Sequence, residues 1–592
     1  MTKEAATFLN DSRDSKMLMK VALGQAKADL AIVNAKLVNV YTGELIENSA
    51  VCIKEKWIAY VGKDPKDAIG PQTEVIDAKG KTVIPGLIDG HTHLACQIPI
   101  EEFSKYALKG GTTTVITETL EIFPVAGYDG MVDFLESFRN QPIKILATAP
   151  AIVSISRDTH GISEEMLQKL LDRDDIVGLG ESYWQAIIQE PDELQPLFKH
   201  TLLAGKTLEG HSAGASEKKL TAYIVNGISS CHEPINADQV LQRLRLGLHT
   251  MIREGAVRKD LEEIANITKQ EIDFRRLILV SDTIAPEDLM ENGYMEYIVQ
   301  KAIDCGFEPI TAIQMATLNV AEHFSLDLLI GGIAPGRYAD MVMIPDITTI
   351  DAQMVISSGS VISENGQLLA SPRKHTFAPQ SLTTIKLPRE LEPADFIIKA
   401  PGGDKEKKVR VIHMVTDLVT SEVIVNCPVS DGQLSVALDK DIIKIAAIDR
   451  THNAGKRFTG LIQGFGLKSG AIACSAAWDG SDIIVAGVDD ADMAFAVNRI
   501  LQMQGGAVVS KNGKVLAEIA FPIFGLISDL PLDSIVQRLK DIFKAAAELG
   551  VPFPNPVLSL ITLTGAAIPY LRICEEGLVN IKDGKNVNLF VR

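Results

Sequence analysis

The chain has 592 residues, of which 46% are hydrophobic and 23% charged, with a formal net charge of −18 at pH 7. That balance is globular, and the length allows three or four domains of ~100–200 residues. The acidic excess argues against a nucleic-acid backbone or an anionic membrane as partner and favours a small-molecule substrate.

Residues 1–29, "MTKEAATFLNDSRDSKMLMKVALGQAKAD", lack the apolar core of a signal peptide and read as one or two amphipathic helices packed on the body. Residues 30–83 read as short strands broken by turn residues, a small β-domain. Over 84–335 short apolar runs alternate with amphipathic stretches such as "SEEMLQKLLDR" and "NADQVLQRLRLGL". Eight runs are expected as strands, at 83–90, 112–117, 144–149, 175–180, 206–211, 226–231, 249–253 and 276–281. Eight strand–helix repeats over ~250 residues are what a (β/α)8 barrel requires. "GGIAPGRYADMVMIPD" then turns back into β-structure, so 336–375 is expected to join 30–83 in a composite β-sandwich flanking the barrel. The Pro-rich stretch 370–396 reads as a linker, and 376–592 as a C-terminal α+β domain. No apolar run reaches the ~18 residues of a membrane span. Seven scattered cysteines without a C-x-x-C suit a reducing cytoplasm.

A barrel presents its functional side chains at the C-terminal ends of its strands. His91 and His93 end the first expected strand, two residues apart and hence on one side of it. Glu181 follows the fourth, His211 ends the fifth, His232 follows the sixth and Asp282 the eighth. An H-x-H pair alone is common by chance, and a single His at a strand end is more often a hydrogen-bonded core residue. Six nitrogen and carboxylate donors at strand ends form a set suited to a divalent first-row metal, and they are numerous enough for two ions.

With those residues in view, "PGLIDGHTH" and "APGRYADMV" resemble the amidohydrolase superfamily. "GLGE", "LEGHSAG", "AYIVNGISSCHE", "LRLGLHTMIREGA", "GLIQGFGLKSGAIA" and "FPIFGLISD" resemble its bacterial adenine deaminase-like group across most of the chain. The resemblance implies one metal on His91, His93, Glu181 and Asp282 and a second on Glu181, His211 and His232, with Glu181 bridging. It implies two divalent ions per subunit, Mn2+ before Fe2+ or Zn2+. A hydroxide shared by the metals would attack an sp2 ring carbon, with Asp282 moving the proton to the leaving group. For adenine, ammonia would leave and hypoxanthine form. A homodimer is also implied.

Away from the expected ligands the chain departs from that group. I-E-S-S after H-x-H becomes Leu94, Ala95, Cys96 and Gln97, and D-P-H-E becomes Glu118, Thr119, Leu120 and Glu121. T-D-D becomes Ser281, Asp282 and Thr283, and a later G-H becomes Gly293–Tyr294. In the C-terminal domain H-D-S-H-N becomes Trp478, Asp479, Gly480, Ser481 and Asp482. Glu118, Glu121, Arg253, Trp478 and Asp479 are therefore the expected substrate contacts, with Arg258 near Arg253 as a second cation for an anionic substituent. The expected function is adenine deamination. The alternative is the same chemistry on another heterocycle: a substituted purine, a thiohydantoin releasing sulfide, or a cyclic amide opened as by a hydantoinase. An inactive metal-binding paralogue would have no need of all six donors.

Overall fold

The computed structural model describes residues 13–151, 154–189 and 191–591. Within the N-terminal segment, Ser15–Ala22 is a helix. Asp14 caps it, accepting from the backbone N–H groups of Lys16 and Met17, and its buried face carries Leu18 and Val21. The rest of the expected helical segment before residue 13 lies outside the described residues.

The strands on either side of the barrel are hydrogen-bonded into one nine-stranded sheet. Thr82–Pro85, which leads into the barrel, pairs antiparallel with Met341–Ile344, which leads out of it. The run expected as a single strand at 83–90 is therefore divided. Pro85 has no N–H to continue a ladder, and Gly86 turns the chain with its N–H on Asp340 O at 2.9 Å. A Cβ at Gly86 would lie 2.2 Å from Thr113 Oγ1, so only glycine fits the close approach of the two strands.

The barrel strands are β1 (Leu87–Thr92), β2 (Thr112–Thr117), β3 (Lys144–Ala149), β4 (Ile176–Tyr183), β5 (Thr207–His211), β6 (Ser230–Cys231), β7 (His249–Arg253) and β8 (Leu277–Val280). Residues of β1–β4 are buried throughout, as expected of parallel strands covered on both faces. β1–β5 form one parallel sheet and β6–β8 a second. β6 is much shorter than the run at 226–231. Gly227 at φ 95° ends the turn after the helix Glu217–Ile224, so extended pairing begins only at Ser230.

The C-terminal domain is a nine-stranded sheet carrying the helices Asp490–Met503 and Leu532–Glu548, with a three-stranded sheet spanning Leu571–Val587. The Pro-rich stretch before it is packed rather than free. Arg373 donates to the carbonyls of Glu136 and Arg139 at 2.7 and 2.9 Å, and His375 and Ser381 bond Asp133 at 2.8 and 2.6 Å. Together these strap the segment to the helix Phe123–Glu136. The loop after β1 is pinned to the C-terminal domain as well: Gln97 N–H donates to Leu526 O, and Ser528 N–H to Gln97 O, both at 3.0 Å. One apolar core runs through barrel and C-terminal domain, from Phe103 and Ile145 to Phe465 and Ile527. Among the described residues, no helix is long and apolar enough to cross a membrane, and the seven cysteines are unpaired.

Candidate active site

The strand ends converge. His91 Nε2 lies 3.2 Å from Glu181 Oε1 and 3.3 Å from Asp282 Oδ1, and His93 Nε2 lies 3.3 and 3.4 Å from the same two oxygens. His232 Nε2 is 3.3 Å from Glu181 Oε1, so Glu181 faces three imidazoles at once. Neither His91 Nε2 nor His93 Nε2 makes a hydrogen bond despite full burial, and His211 Nδ1 is likewise unsatisfied. Buried nitrogens left without partners beside carboxylates are what a cation site requires. Donor atoms of His91, His93, Glu181 and Asp282 lie within 4.8 Å of one another, as do those of Glu181, His211 and His232. The residues present therefore fit a divalent-cation site, in overlapping groups that share Glu181.

Electrostatics follow from this crowding. Burial alone would lower the His91 pKa, but the Asp282 and Glu181 carboxylates outweigh it and push it up to about 10. Burial opposes ionisation of Glu181 and Asp282 too, yet the surrounding histidines, with Arg253 for Asp282, hold both well below the usual carboxylate range. His232 is lowered by burial and by His91.

Two residues expected to touch substrate stand behind the histidines instead. Glu121 bonds His93 Nδ1, and Glu118 Oε1 sits 3.6 Å from His91 Nδ1. Each carboxylate is placed to hold the ring so that Nε2 faces the ligand cluster. Glu118 also accepts from Glu181 N–H at 3.3 Å, and burial raises its pKa to about 7. Gly180 makes this approach possible, since a Cβ there would stand 2.0 Å from Glu118 Oε2.

Arg253 is 3% exposed and surrounded by Glu233, Asp282 and Asp260. Its guanidinium faces three carboxylates, which places it as a neutraliser of Asp282, and it also lines the same cavity as Trp478. Asp479 accepts from Tyr183 Oη at 2.8 Å and Ala566 N–H at 2.9 Å, tying the C-terminal domain to the end of β4, and burial pushes its carboxyl up to about 8. Trp478 does face the site: its ring centroid is 5.1 Å from that of His93, and it lines a cavity of about 380 Å³ that opens onto Glu181, His211, His232 and Asp282. The outer wall of this cavity comes from Thr416–Val419 and Ala567–Pro569, together with Ile235, Val257 and the half-exposed Arg258.

Sequence reasoning passed over Glu233. Its Oε1 is 3.2 Å from His211 Nε2 and 3.3 Å from His232 Nε2, and although burial opposes ionisation, Arg253 and the histidines hold it ionised well below the normal range. Its position directly after His232 in "SCHEP" was the available signal.

Set against known proteins, residues 82–368 match the amidohydrolase family and residues 417–585 the adenine deaminase C-terminal domain. Among solved structures, molinate hydrolase aligns at 18% identity and TM-score 0.45 over 60% of this chain and 99% of its own. An enamidase of the amidohydrolase superfamily aligns at 20% and 0.45 over 58% and 99%. The barrel and its ligand cluster define a metal-dependent hydrolase of the amidohydrolase class. Adenine deaminases of Clostridium botulinum (strain Langeland / NCTC 10281 / Type F) and Moorella thermoacetica (strain ATCC 39073 / JCM 9320) are each 35% identical to it, over 98% and 97% of this chain and 98% of theirs. That of Cenarchaeum symbiosum (strain A) is 33% identical over 96% of this chain and 94% of its own. The chain belongs to the adenine deaminase family.

Proposed function

We propose that this protein hydrolyses adenine to hypoxanthine and ammonia at a two-metal centre held by His91, His93, Glu181, His211, His232 and Asp282. The carrying observation is the pair of buried, unbonded Nε2 atoms of His91 and His93 lying 3.2–3.4 Å from Glu181 and Asp282, two residues that line the 380 Å³ cavity. The relatives' activity supplies the substrate. Those residues would hold divalent ions, Mn2+ before Fe2+ or Zn2+, which would supply Lewis acidity and a lowered pKa for water near neutral pH.

The chain's own residues do the rest. Asp282, held ionised, accepts the proton of the attacking water and returns it to the departing amine. Glu118 and Glu121 hold the imidazoles, Arg253 balances the charge of Asp282 and Glu233, and Trp478 offers a flat face for a planar ring. In this reading 84–335 carries the chemistry, 376–592 closes the substrate side, and 30–83 with 336–375 braces the barrel. The protein acts as a cytoplasmic homodimer on a small heterocycle and not on nucleic acid. The −18 charge and the unpaired cysteines are in keeping with that.

A second reading, the same chemistry on another heterocycle, is favoured by one observation. Of the segments that depart from the resembling group, Trp478 is on the cavity wall, where a half-exposed Arg258, paired with Asp260 at 2.9 Å, also stands. The test is to load the purified protein with Mn2+, Fe2+ or Zn2+ and assay adenine, 6-substituted purines, hydantoins and thiohydantoins for ammonia, sulfide or ring opening. Ammonia from adenine supports the first reading. No turnover of adenine by metal-loaded protein, with turnover of another ring, replaces it with the second.

A further inference from the structure

The barrel is hydrogen-bonded as two arcs, β1–β5 and β6–β8, which leaves two seams. At the seam between β5 and β6, Ser229 N–H donates to Leu208 O at 2.9 Å and a buried carboxylate reinforces the join. Glu209 accepts from Ser230 Oγ at 2.6 Å and pairs with His323 at 2.9 Å. The seam between β8 and β1 is joined in the same manner, and there it lies under the catalytic group. Asp89 is fully buried two residues before His91. It accepts from Tyr294 Oη at 2.5 Å, from Ser281 Oγ at 2.6 Å, from Ser281 N–H at 3.3 Å and from His91 N–H at 3.1 Å. Ser281 Oγ also lies 2.9 Å from Thr92 Oγ1.

Directly after Ser281 the backbone turns left-handed, at Asp282 (φ 55°) and again at Thr283 (φ 115°). Non-glycine residues keep such angles only where their surroundings over-determine them, and strain of this sort gathers at working sites. Asp282 N–H donates to His91 O at 3.0 Å, the backbone bond that fastens the turn to β1. Ser281 and Tyr294 are both positions at which the chain departs from the group it resembles, and both hydroxyls meet on one carboxylate. They do not line the substrate cavity.

We propose that Asp89, Ser281 and Tyr294 form a positioning network for Asp282. By closing the β8–β1 seam they hold the strained turn in the one register that keeps Asp282 Oδ1 within 3.3–3.4 Å of His91 and His93 Nε2. Without the two hydroxyls Asp89 is a buried carboxylate short of donors, and the turn relaxes away from the metal positions. The proposal rests on the metal-hydrolase reading of the site but not on the identity of the ring attacked.

The experiment uses the full chain loaded with Co2+, whose absorption bands report ligand geometry, beside steady-state kinetics on whichever substrate the panel above yields. Tyr294→Phe and Ser281→Ala are expected to bind metal at wild-type stoichiometry and to shift the Co2+ bands. They should lower kcat ~10–100-fold with KM within about threefold, the usual cost of losing a group that orients a ligand. Ser281→Thr, which keeps the hydroxyl, is expected to retain wild-type bands and kcat. Phe103→Leu, an apolar neighbour whose ring centroid is 5.0 Å from that of Tyr294, controls for loss of packing alone and should leave the bands unmoved. Unchanged bands in Tyr294→Phe and Ser281→Ala overturn the proposal, as does a loss expressed in KM with kcat intact, or a band shift equally large in Phe103→Leu. If no substrate in the panel turns over, the band shift still decides the proposal, while the functional reading falls by itself.

Discussion

The two ends of the catalytic cavity are built on different principles. The floor is charged and closed on itself: Glu181, Asp282 and Arg253 are buried, Glu233 is partly so, and each pairs with a residue from another strand end or the segment following it. The outer wall is largely apolar, chiefly from Leu418, Val419, Ile568, Pro569 and Trp478 of the C-terminal domain, with Ile235 and Val257 of the barrel. Loss of one partner on the floor strands a buried charge, which costs several kcal/mol, whereas the wall tolerates apolar exchange at ~1–3 kcal/mol. The strand ends of the barrel thus supply the charged groups of the cavity, and the C-terminal domain supplies most of its apolar wall.

The sharpest way to break this comparison is to remove a floor residue. His211→Ala is expected to lower metal content and to cut kcat/KM by ~10³-fold or more, about 4 kcal/mol of barrier. Metal analysis beside steady-state kinetics checks it, and full activity would remove His211 from the site. Next in size, Glu121→Gln should weaken metal binding by ~10–100-fold while leaving KM for substrate nearly unchanged, measured by titration against a chelator. A rise in KM with metal affinity intact would return Glu121 to the substrate side.

On the wall, Trp478→Ala is expected to raise KM about tenfold with kcat within about threefold, since it removes a stacking face and no charge. Loss of metal from that variant would show that wall and floor are not separable. A separate effect concerns stability. Burial raises the Asp479 carboxyl to about 8, so the folded protein holds a proton there that the unfolded chain releases above about 4. A raised folded-state pKa gives stability present in full below the unfolded value and lost as pH rises through the folded one. The advantage of wild type over Asp479→Asn in thermal midpoint should therefore shrink from pH 5 to pH 9. A constant difference would mean that Asp479 is ionised in the fold.

Much of this was legible in the residues. H-x-H after an apolar run, and Glu, His, His and Asp after later runs, mark strand ends, because a barrel strand must be apolar along its length and polar only where it reaches the mouth. The boundary at Pro85–Gly86 was less legible, since Val83 to Ile88 carries no polar side chain and periodicity cannot divide two consecutive buried strands. The roles of Glu118, Glu121, Arg253 and Asp479 were not legible at all. A polar residue near a site reads the same whether it faces a ligand or braces the residue that does. Glu233 was hidden by the stronger signal of the histidine before it.

The sequence by itself determined the donor set, the order in which eight strands deliver it, and the family, because these depend on residue type and spacing along the chain. Only the tertiary structure decided which side of each donor faces the cavity. That depends on contacts between residues far apart in sequence, such as Glu121 with His93, Asp479 with Tyr183, and Asp89 with Ser281 and Tyr294. Spacing along one chain carries no record of such pairings, because they form only when the barrel closes and the C-terminal domain settles over its mouth.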